Sequence, residues 1–213
     1  MQSLTNINRG ICQGIVTGDI YCPTDTVAII TLKVKDSRVN PVSGEKKKHY
    51  VQFTAFDEVA ELVKDNAQTG QIIYVEYQLT SSKKMDENGV SKFYKNRVIE
   101  NIVFGEVLQP DAQTSVPYQN IGFVQGEFVS LKRVEKVKGI AYLTVRIHMT
   151  ADNGKEFVFY PQFTVFGGLI DVVENKYEPD SLVHVTYKIE TDVKADAEGN
   201  KIYYTDYIAN RIV

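Results

Sequence analysis

Tryptophan is absent from the sequence, and there are only three histidines and two cysteines, Cys12 and Cys22. Two cysteines cannot form a disulfide framework, and neither they nor the histidines have the spacing of a metal site. The glycine-rich phosphate loop, the dinucleotide-binding motif and the nucleophile elbow are also missing, and the carboxylates are scattered. We therefore expect a protein that is not an enzyme and that uses no metal and no cofactor.

Long apolar runs are missing too. None approaches the roughly 18 residues that a membrane span needs, and the first nine residues lack the apolar core of a signal peptide. With two reduced cysteines, this favours a cytoplasmic protein. The net charge of −3 excludes a globally basic nucleic-acid binder, but an acidic protein can still carry a basic groove. The 213 residues suffice for one large or two small domains.

An internal repeat is the strongest signal in the sequence. When the chain is shifted by 110 residues, residues 52–103 align without a gap on residues 162–213, with about a quarter of the positions identical. A gapless match of this length indicates a duplicated domain of about 100 residues. We predict a first domain over residues 1–104, a proline-containing linker over residues 105–120 and a second domain over residues 121–213.

One copy consists mostly of the alternating pattern that predicts β-strands. In the third strand pattern, Val51, Phe53 and Ala55 are expected to face the core, whereas Tyr50 and Phe56 are expected to face the other way. The period then changes over residues 57–66 to that of a helix, and two further strand patterns follow.

This helix pattern has Asp57 as its expected N-cap and Val59, Leu62 and Val63 on its apolar face. Three strands, a helix and two strands is the order of an OB-fold. The predicted fold class is therefore all-β, with two tandem OB-fold five-stranded barrels and one short helix between strands three and four of each. In the second copy, we expect the helix to start at Gly167-Gly168.

The first copy resembles the bacterial and phage single-stranded DNA-binding proteins over most of residues 10–105. The resemblance lies in the segments AIITL at 28–32, FTAFDEVAE at 53–61 and GQIIYVEYQL at 70–79, and in the DENG hairpin at 86–89 that leads to Tyr94. The second copy matches more weakly and mainly through the first. The resemblance implies binding of single-stranded DNA without sequence preference. The sequence departs from the family pattern in two ways: it lacks tryptophan at the stacking sites, and it ends without an acidic partner-recruiting tail.

Positions that match the family are expected to contact nucleic acid. The resemblance places stacking aromatics and groove-facing or hairpin residues in both copies, namely Tyr50, Phe56, Tyr160, Phe166, Thr31, Lys33, Thr144, Arg146, Lys83, Lys84 and Lys194. The pattern of cations and rings along the chain adds four more, namely Lys35, Lys46, Lys48 and Tyr142. A binder of single strands needs cations along a groove with flat side chains between them. Tyr77 and Tyr187 share the parity of core residues and are expected to pack inside, whereas Tyr203, Tyr204 and Tyr207 cannot be assigned to a face.

The sequence thus predicts a protein that coats and protects single-stranded DNA in replication, recombination or repair. A homodimer would supply four barrels, and a phage or mobile-element origin is consistent with the divergence. Replication or recombination proteins are possible partners, although no recruiting tail is seen. Two alternatives remain open, namely an RNA-binding tandem OB protein and an OB-fold protein-interaction module of a replisome.

Overall fold

The structure is a computed structural model that describes residues 7–39, 44–85, 91–108, 118–150, 154–195 and 201–213. The contacts between residues divide the chain into two compact units. The first-barrel unit comprises Gly10–Asn120 together with Glu190–Thr205, and the second-barrel unit comprises Ile121–Ile189 and Asp206–Val213 with the N-terminal residues up to Arg9. Neither helix in the described ranges is long and apolar enough to cross a membrane.

The first barrel closes through five strands. The elements in chain order are β1 (Asn8–Val16), β2 (Tyr21–Thr24), β3 (Val27–Val39), β4 (Lys46–Phe56), α1 (Asp57–Asn66), β5 (Gln71–Met85) and β6 (Ser91–Val107). Strand β1 pairs antiparallel with both β3 and β5, β3 pairs with β4, and β5 pairs with β6. A parallel pairing of β4 with β6 at Thr54 and Val98 completes the ring, and the short β2 adds to the edge of β3.

The second barrel repeats this order. Its elements are β7 (Gln119–Arg133), β8 (Ile140–Thr150), β9 (Glu156–Phe159), β10 (Gln162–Phe166), α2 (Gly168–Lys176), β11 (Leu182–Ala195) and β12 (Lys201–Ile212). Strand β7 pairs with β8 and β11, β8 with β10, β11 lies beside β12, and β10 runs parallel to β12 at Thr164 and Ile208. The prediction of two five-stranded OB barrels, each with a helix between the third and fourth strands, is confirmed.

The alternating pattern of β4 predicts its burial correctly. Val51, Phe53 and Ala55 are fully buried, whereas Tyr50 and Phe56 are exposed. The same aromatic pair packs in both cores: the ring centroids of Phe53 and Tyr77 lie 5.1 Å apart, and those of Phe163 and Tyr187 lie 5.2 Å apart. Tyr77 and Tyr187 are therefore packing residues, and the duplication extends to the side chains of the core.

Two details of α1 differ from the expectation. The N-cap is Phe56 rather than Asp57, and no side chain caps the helix; Asp57 itself has a positive φ of 48°. Leu62 is 49% exposed, because the face that packs against the barrel runs through Ala60 and Val63 and leaves Leu62 on its solvent side. In the second copy, α2 begins at Gly168 as expected, after Gly167 at a φ of 55°, a left-handed conformation that glycine adopts easily.

Residues 190–205 belong to the second copy by sequence but to the first-barrel unit by their contacts. They include the end of β11 and the start of β12. The sequence-based domain limits of 1–104 and 121–213 stay a prediction, and residues 109–117 of the expected linker lie outside the described part of the chain.

Candidate nucleic-acid interface

A groove of about 680 Å³ opens on the first-barrel unit. It is lined by outward-facing side chains of β3 and β4 and by side chains of β11 and β12, namely Thr31, Tyr50, Gln52, Val193, Tyr203 and Thr205. Two of these are exposed tyrosines, Tyr50 at 39% and Tyr203 at 60%. The groove therefore combines flat aromatic surfaces with small polar side chains.

The register of β3 and β4 explains why these side chains share a face. Lys33 lies opposite Tyr50, and Thr31 lies opposite Gln52, in the antiparallel ladder. Directly opposed residues point to the same side of a sheet, with Cβ atoms about 5 Å apart. Because Leu32 and Val51 are fully buried on the inner side, the outer side must present the lysine and the tyrosine together.

Backbone and polar contacts hold the β11 segment against β4. The backbone N–H of Tyr50 donates to Oγ1 of Thr191 at 2.8 Å, and the N–H of Thr191 donates to Nδ1 of His49 at 2.9 Å. Lys47 pairs with Asp192 at 2.9 Å. Partial burial alone would lower the pKa of Lys47, but its hydrogen bond with Asp192 and the nearby charges hold this pKa above its ordinary value. Contacts at Lys47, His49 and Tyr50 itself thus fix the β11 segment beside the groove-lining Tyr50.

Other predicted residues of the first barrel, namely Phe56, Lys35, Lys46 and Lys48, are not among those that line this groove. Phe56 is 43% exposed at the end of β4. Lys46 and Lys48 are exposed at the start of β4, where Lys48 pairs weakly with Glu45 at 3.4 Å. The ammonium group of Lys35 lies 5.5 Å from the ring centroid of Tyr118.

Lys83 and Lys84 lie on the backbone of β5, but their side chains fall outside the part of the chain that the structure describes. Their role as hairpin contacts stays a prediction.

The second barrel presents aromatic residues at the corresponding places. Tyr142, Tyr160 and Phe166 are 39%, 53% and 45% exposed. Tyr160 does not lie on a strand, however, because the expected third strand is split into β9 and β10 at Tyr160 and Pro161. Proline has no backbone N–H to donate to the ladder, which explains the break. The Pro161 carbonyl still accepts a hydrogen bond from the N–H of Val145 at 3.1 Å.

Arg146 occupies a different electrostatic setting from Lys33. Its guanidinium pairs with Glu127 and lies 2.8 Å from the carboxylate of Asp180. The hydrogen bond that Arg146 donates to Glu127, together with the charges of both carboxylates, raises the pKa of Arg146 despite some loss of solvation. Two carboxylates beside one guanidinium leave this part of the second barrel without net positive charge. Thr144, which the resemblance also places on the groove side, is half-buried on the same strand, β8.

Lys194 is part of the first-barrel unit, and its ammonium group lies 5.2 Å from the ring centroid of Tyr204. The sequence shows the cluster of Tyr203, Tyr204 and Tyr207, and the structure assigns it: Tyr207 is buried in the core, whereas Tyr203 and Tyr204 are exposed. Sequence reasoning missed Tyr203 as a groove residue. The only sequence signal for Tyr203 is the alternation of side chains along β12. Alternation predicts the face of the strand on which Tyr203 lies, but it does not predict which barrel lies next to that face.

Residues 7–105 match the profile described as the single-strand binding protein family. No curated protein sequence matches the chain.

Among solved structures, wild-type single-stranded DNA binding protein from Thermus aquaticus is similar, with a TM-score of 0.65 and 16% identity. The match covers 98% of this chain and 92% of that one. A deletion mutant of the same Thermus aquaticus protein gives a TM-score of 0.66 at 16% identity, with 98% and 94% covered. At 16% identity the similarity concerns the fold alone. Because each match covers 98% of this chain, the similarity in fold extends over both barrels.

Proposed function

Residues 7–105 form a domain of the single-strand binding protein family, and from this premise we propose that the chain binds single-stranded DNA without base sequence preference. The binding surface is the outward face of β3 and β4 together with the adjoining part of β11 and β12. One observation supports this assignment most strongly: Tyr50 and Tyr203 both present exposed rings to one groove, with Lys33 beside Tyr50.

The chemistry of this groove suits an unpaired strand. Each base of a single strand exposes a π-face, and stacking on an aromatic ring is worth about 1–3 kcal/mol per base. The tyrosines supply such rings, whereas Thr31, Gln52 and Thr205 supply small polar groups that tolerate any base. Lys33, Lys46 and Lys48 supply positive charge for the phosphates, so that affinity depends on the backbone rather than on the sequence.

Binding of this kind protects exposed strands and removes their secondary structure. We assign the chain to replication, recombination or repair as a coating protein of the cytoplasm, with no catalytic step. A homodimer would bring four barrels together, and replication or recombination proteins would be its natural protein partners.

The test is a titration of labelled oligo-dT against the full chain, followed by fluorescence anisotropy at two salt concentrations. We expect saturable binding that weakens with salt and that falls in Tyr50→Ala. Tyr21→Ala is the matched control, because Tyr21 is 64% exposed on the same unit but does not line the groove. Absence of binding to oligo-dT, or equal losses in Tyr50→Ala and Tyr21→Ala, would contradict the proposal.

Oligo-U competition separates DNA from RNA as the ligand. Because stacking alone does not distinguish the two, a preference for oligo-U would assign the groove to RNA through contacts with the 2′-hydroxyl. A protein-interaction module would bind neither oligonucleotide.

A further inference from the structure

Three potential metal ligands meet in the first-barrel unit, away from the groove surface. They are Asp36 on β3, His49 on β4 and Glu190 on β11, and one ligand atom from each lies within 4.8 Å of the others. The side chains of His49 and Asp36 are only 2% and 6% exposed, and that of Glu190 is 11% exposed. This burial distinguishes the cluster from ordinary surface acids, and Lys47 already pairs with the carboxylate of Glu190 at 3.5 Å.

The imidazole of His49 points one nitrogen into this cluster. Nδ1 is occupied by Thr191, whose N–H lies at 2.9 Å and whose carbonyl oxygen lies at 3.3 Å. Nε2 lies 3.5 Å from Oδ2 of Asp36, which is beyond a good hydrogen bond. Among the described residues, this buried nitrogen has no hydrogen-bond partner. A buried polar atom without a partner is unfavourable, and here it faces two carboxylates.

The separation of these atoms fits a metal ion. Tetrahedral ligands about 2.1 Å from Zn²⁺ lie about 3.4 Å from one another, which is close to the 3.5 Å between Nε2 and Oδ2. The ligand atom of Glu190 lies within 4.8 Å of those of Asp36 and His49, and the side chains would have to close to about 3.4 Å around a shared ion. Lys47 lies 3.5 Å from Glu190 but closer to Asp192, at 2.9 Å, so it can stay paired when Glu190 turns.

We propose that Asp36, His49 and Glu190 bind one divalent transition-metal ion of the Zn²⁺ class, with water in the remaining position. A neutral imidazole and two carboxylates are ligands that suit this class, and their combined charge balances that of the ion. The ring proton moves from Nε2 to Nδ1 when the metal binds. Nδ1–H then donates to the carbonyl oxygen of Thr191, now 3.3 Å away, and a carbonyl is the usual second partner of a ligating histidine. The N–H of Thr191 gives up its 2.9 Å hydrogen bond to Nδ1 in this step, and the bonds to the metal have to offset that loss.

Such an ion would fasten β11 to β3 and β4 next to Tyr50. The ligands lie 13 and 141 positions apart along the chain, so no spacing motif marks them. This is why the sequence alone led to the expectation of no metal. The site is structural in this proposal, and it does not depend on whether the groove binds DNA.

The test uses the full chain without DNA. Metal-free protein is titrated with Zn²⁺ in competition with a chromophoric chelator, and Co²⁺ is added separately to record its visible absorption. We expect one ion per chain, a melting temperature that rises with Zn²⁺ and falls after chelation, and Co²⁺ bands typical of nitrogen and oxygen ligands. Saturable binding by the wild type is required, and its absence overturns the proposal whatever the variants do.

Glu190→Gln and Asp36→Asn keep the shape of the ligands and remove their charge, and each is expected to weaken Zn²⁺ binding by at least tenfold. His148→Gln is the control, because His148 is an exposed histidine beside a carboxylate, Glu127, at 3.6 Å. Circular dichroism establishes that each variant is folded. Equal affinity in wild type, Glu190→Gln and Asp36→Asn, or loss of the ion in His148→Gln, would place the metal elsewhere and refute the assignment. Binding of oligo-dT is measured in the same samples, so that failure of the metal site and failure of the DNA groove remain distinguishable.

Discussion

Tyr50 donates its backbone N–H to the side-chain oxygen of Thr191 at 2.8 Å. The residue that presents a ring to the groove is thus held by a residue of the second sequence copy. Two positions further along β11, Val193 lines the same groove, and Tyr203 and Thr205 line it from β12. The candidate site of the first barrel is therefore completed by residues 190–205, which belong to its compact unit.

This arrangement predicts that Tyr203 contributes to DNA binding, as we propose for Tyr50. Tyr203→Ala removes a 60% exposed ring from the groove and should weaken oligo-dT binding by about 5- to 150-fold, which corresponds to stacking of one base. Tyr203→Phe keeps the ring and should bind nearly as well as the wild type. Fluorescence anisotropy of a labelled oligonucleotide measures both affinities.

The control for Tyr203 is Tyr21→Ala, which removes an equally exposed ring outside the groove. Unchanged affinity in Tyr203→Ala would show that the strand passes along β3 and β4 without touching β12.

A second prediction concerns salt dependence. Lys33 faces the same side of the sheet as Tyr50, and within the described residues Lys33 forms no ion pair with a carboxylate. Arg146, in contrast, pairs with both Glu127 and Asp180. Lys33→Gln should lower the slope of log K against log salt by about 0.7, which is the loss of one phosphate contact. Arg146→Gln should change the slope less, because its charge is already compensated. Affinities measured at four or more salt concentrations give both slopes. A larger effect of Arg146→Gln than of Lys33→Gln would contradict this prediction and indicate that Arg146 rather than Lys33 contacts a phosphate.

Strand alternation was sufficient to predict the barrels and the rings of the first copy. The pattern around Phe53 fixes the inner face of β4, and therefore the exposure of Tyr50, because side chains in a strand point alternately to opposite faces. The same rule separates Tyr77, which is buried, from the exposed Phe56.

Other features depend on contacts between distant parts of the chain and could not be predicted. The pairing of Arg146 with Asp180, the position of Tyr203 beside Tyr50, and the meeting of Asp36 with Glu190 all join segments separated by many residues. Alternation gives the face on which a residue lies but not its neighbour. The break at Tyr160 had a local signal in Pro161, and the regular strand pattern of the first copy concealed it.

A third prediction follows from a glycine that lies opposite a core tyrosine in both barrels. Gly10 pairs with Tyr77 in the β1–β5 ladder, and Gly122 pairs with Tyr187 in the β7–β11 ladder. A Cβ atom at either glycine would overlap the tyrosine ring. Gly10→Ala and Gly122→Ala should each destabilise the protein by about 1–3 kcal/mol, as overpacking does, and denaturant unfolding measures this loss.

The control for this overpacking is a double mutant in which the tyrosine ring is replaced by a smaller side chain. In Gly10→Ala combined with Tyr77→Leu, the new methyl group has space, so the two losses should be far from additive. Gly18→Ala is not equivalent, because Gly18 has open space around it but a positive φ of 73°. Simple additivity of the Gly10 and Tyr77 changes would mean that the ring does not require the glycine.

The last prediction separates the two cysteines by their reactivity. Burial raises the pKa of the Cys12 thiol far above its ordinary value and outweighs the opposing charge of Arg97, whereas Cys22 is exposed. A thiol reagent should therefore modify one cysteine in the native protein and two in denaturant, because the thiolate is the reactive form.

The raised pKa also has a consequence for stability. The folded state keeps Cys12 protonated, so its contribution is fully present below the ordinary thiol pKa of about 8.5 and is lost as the pH rises above it. Cys12→Ala should remove this part of the alkaline loss, whereas Cys22→Ala should leave it unchanged. Rapid modification of both thiols in the native state would show that β1 opens readily from the barrel.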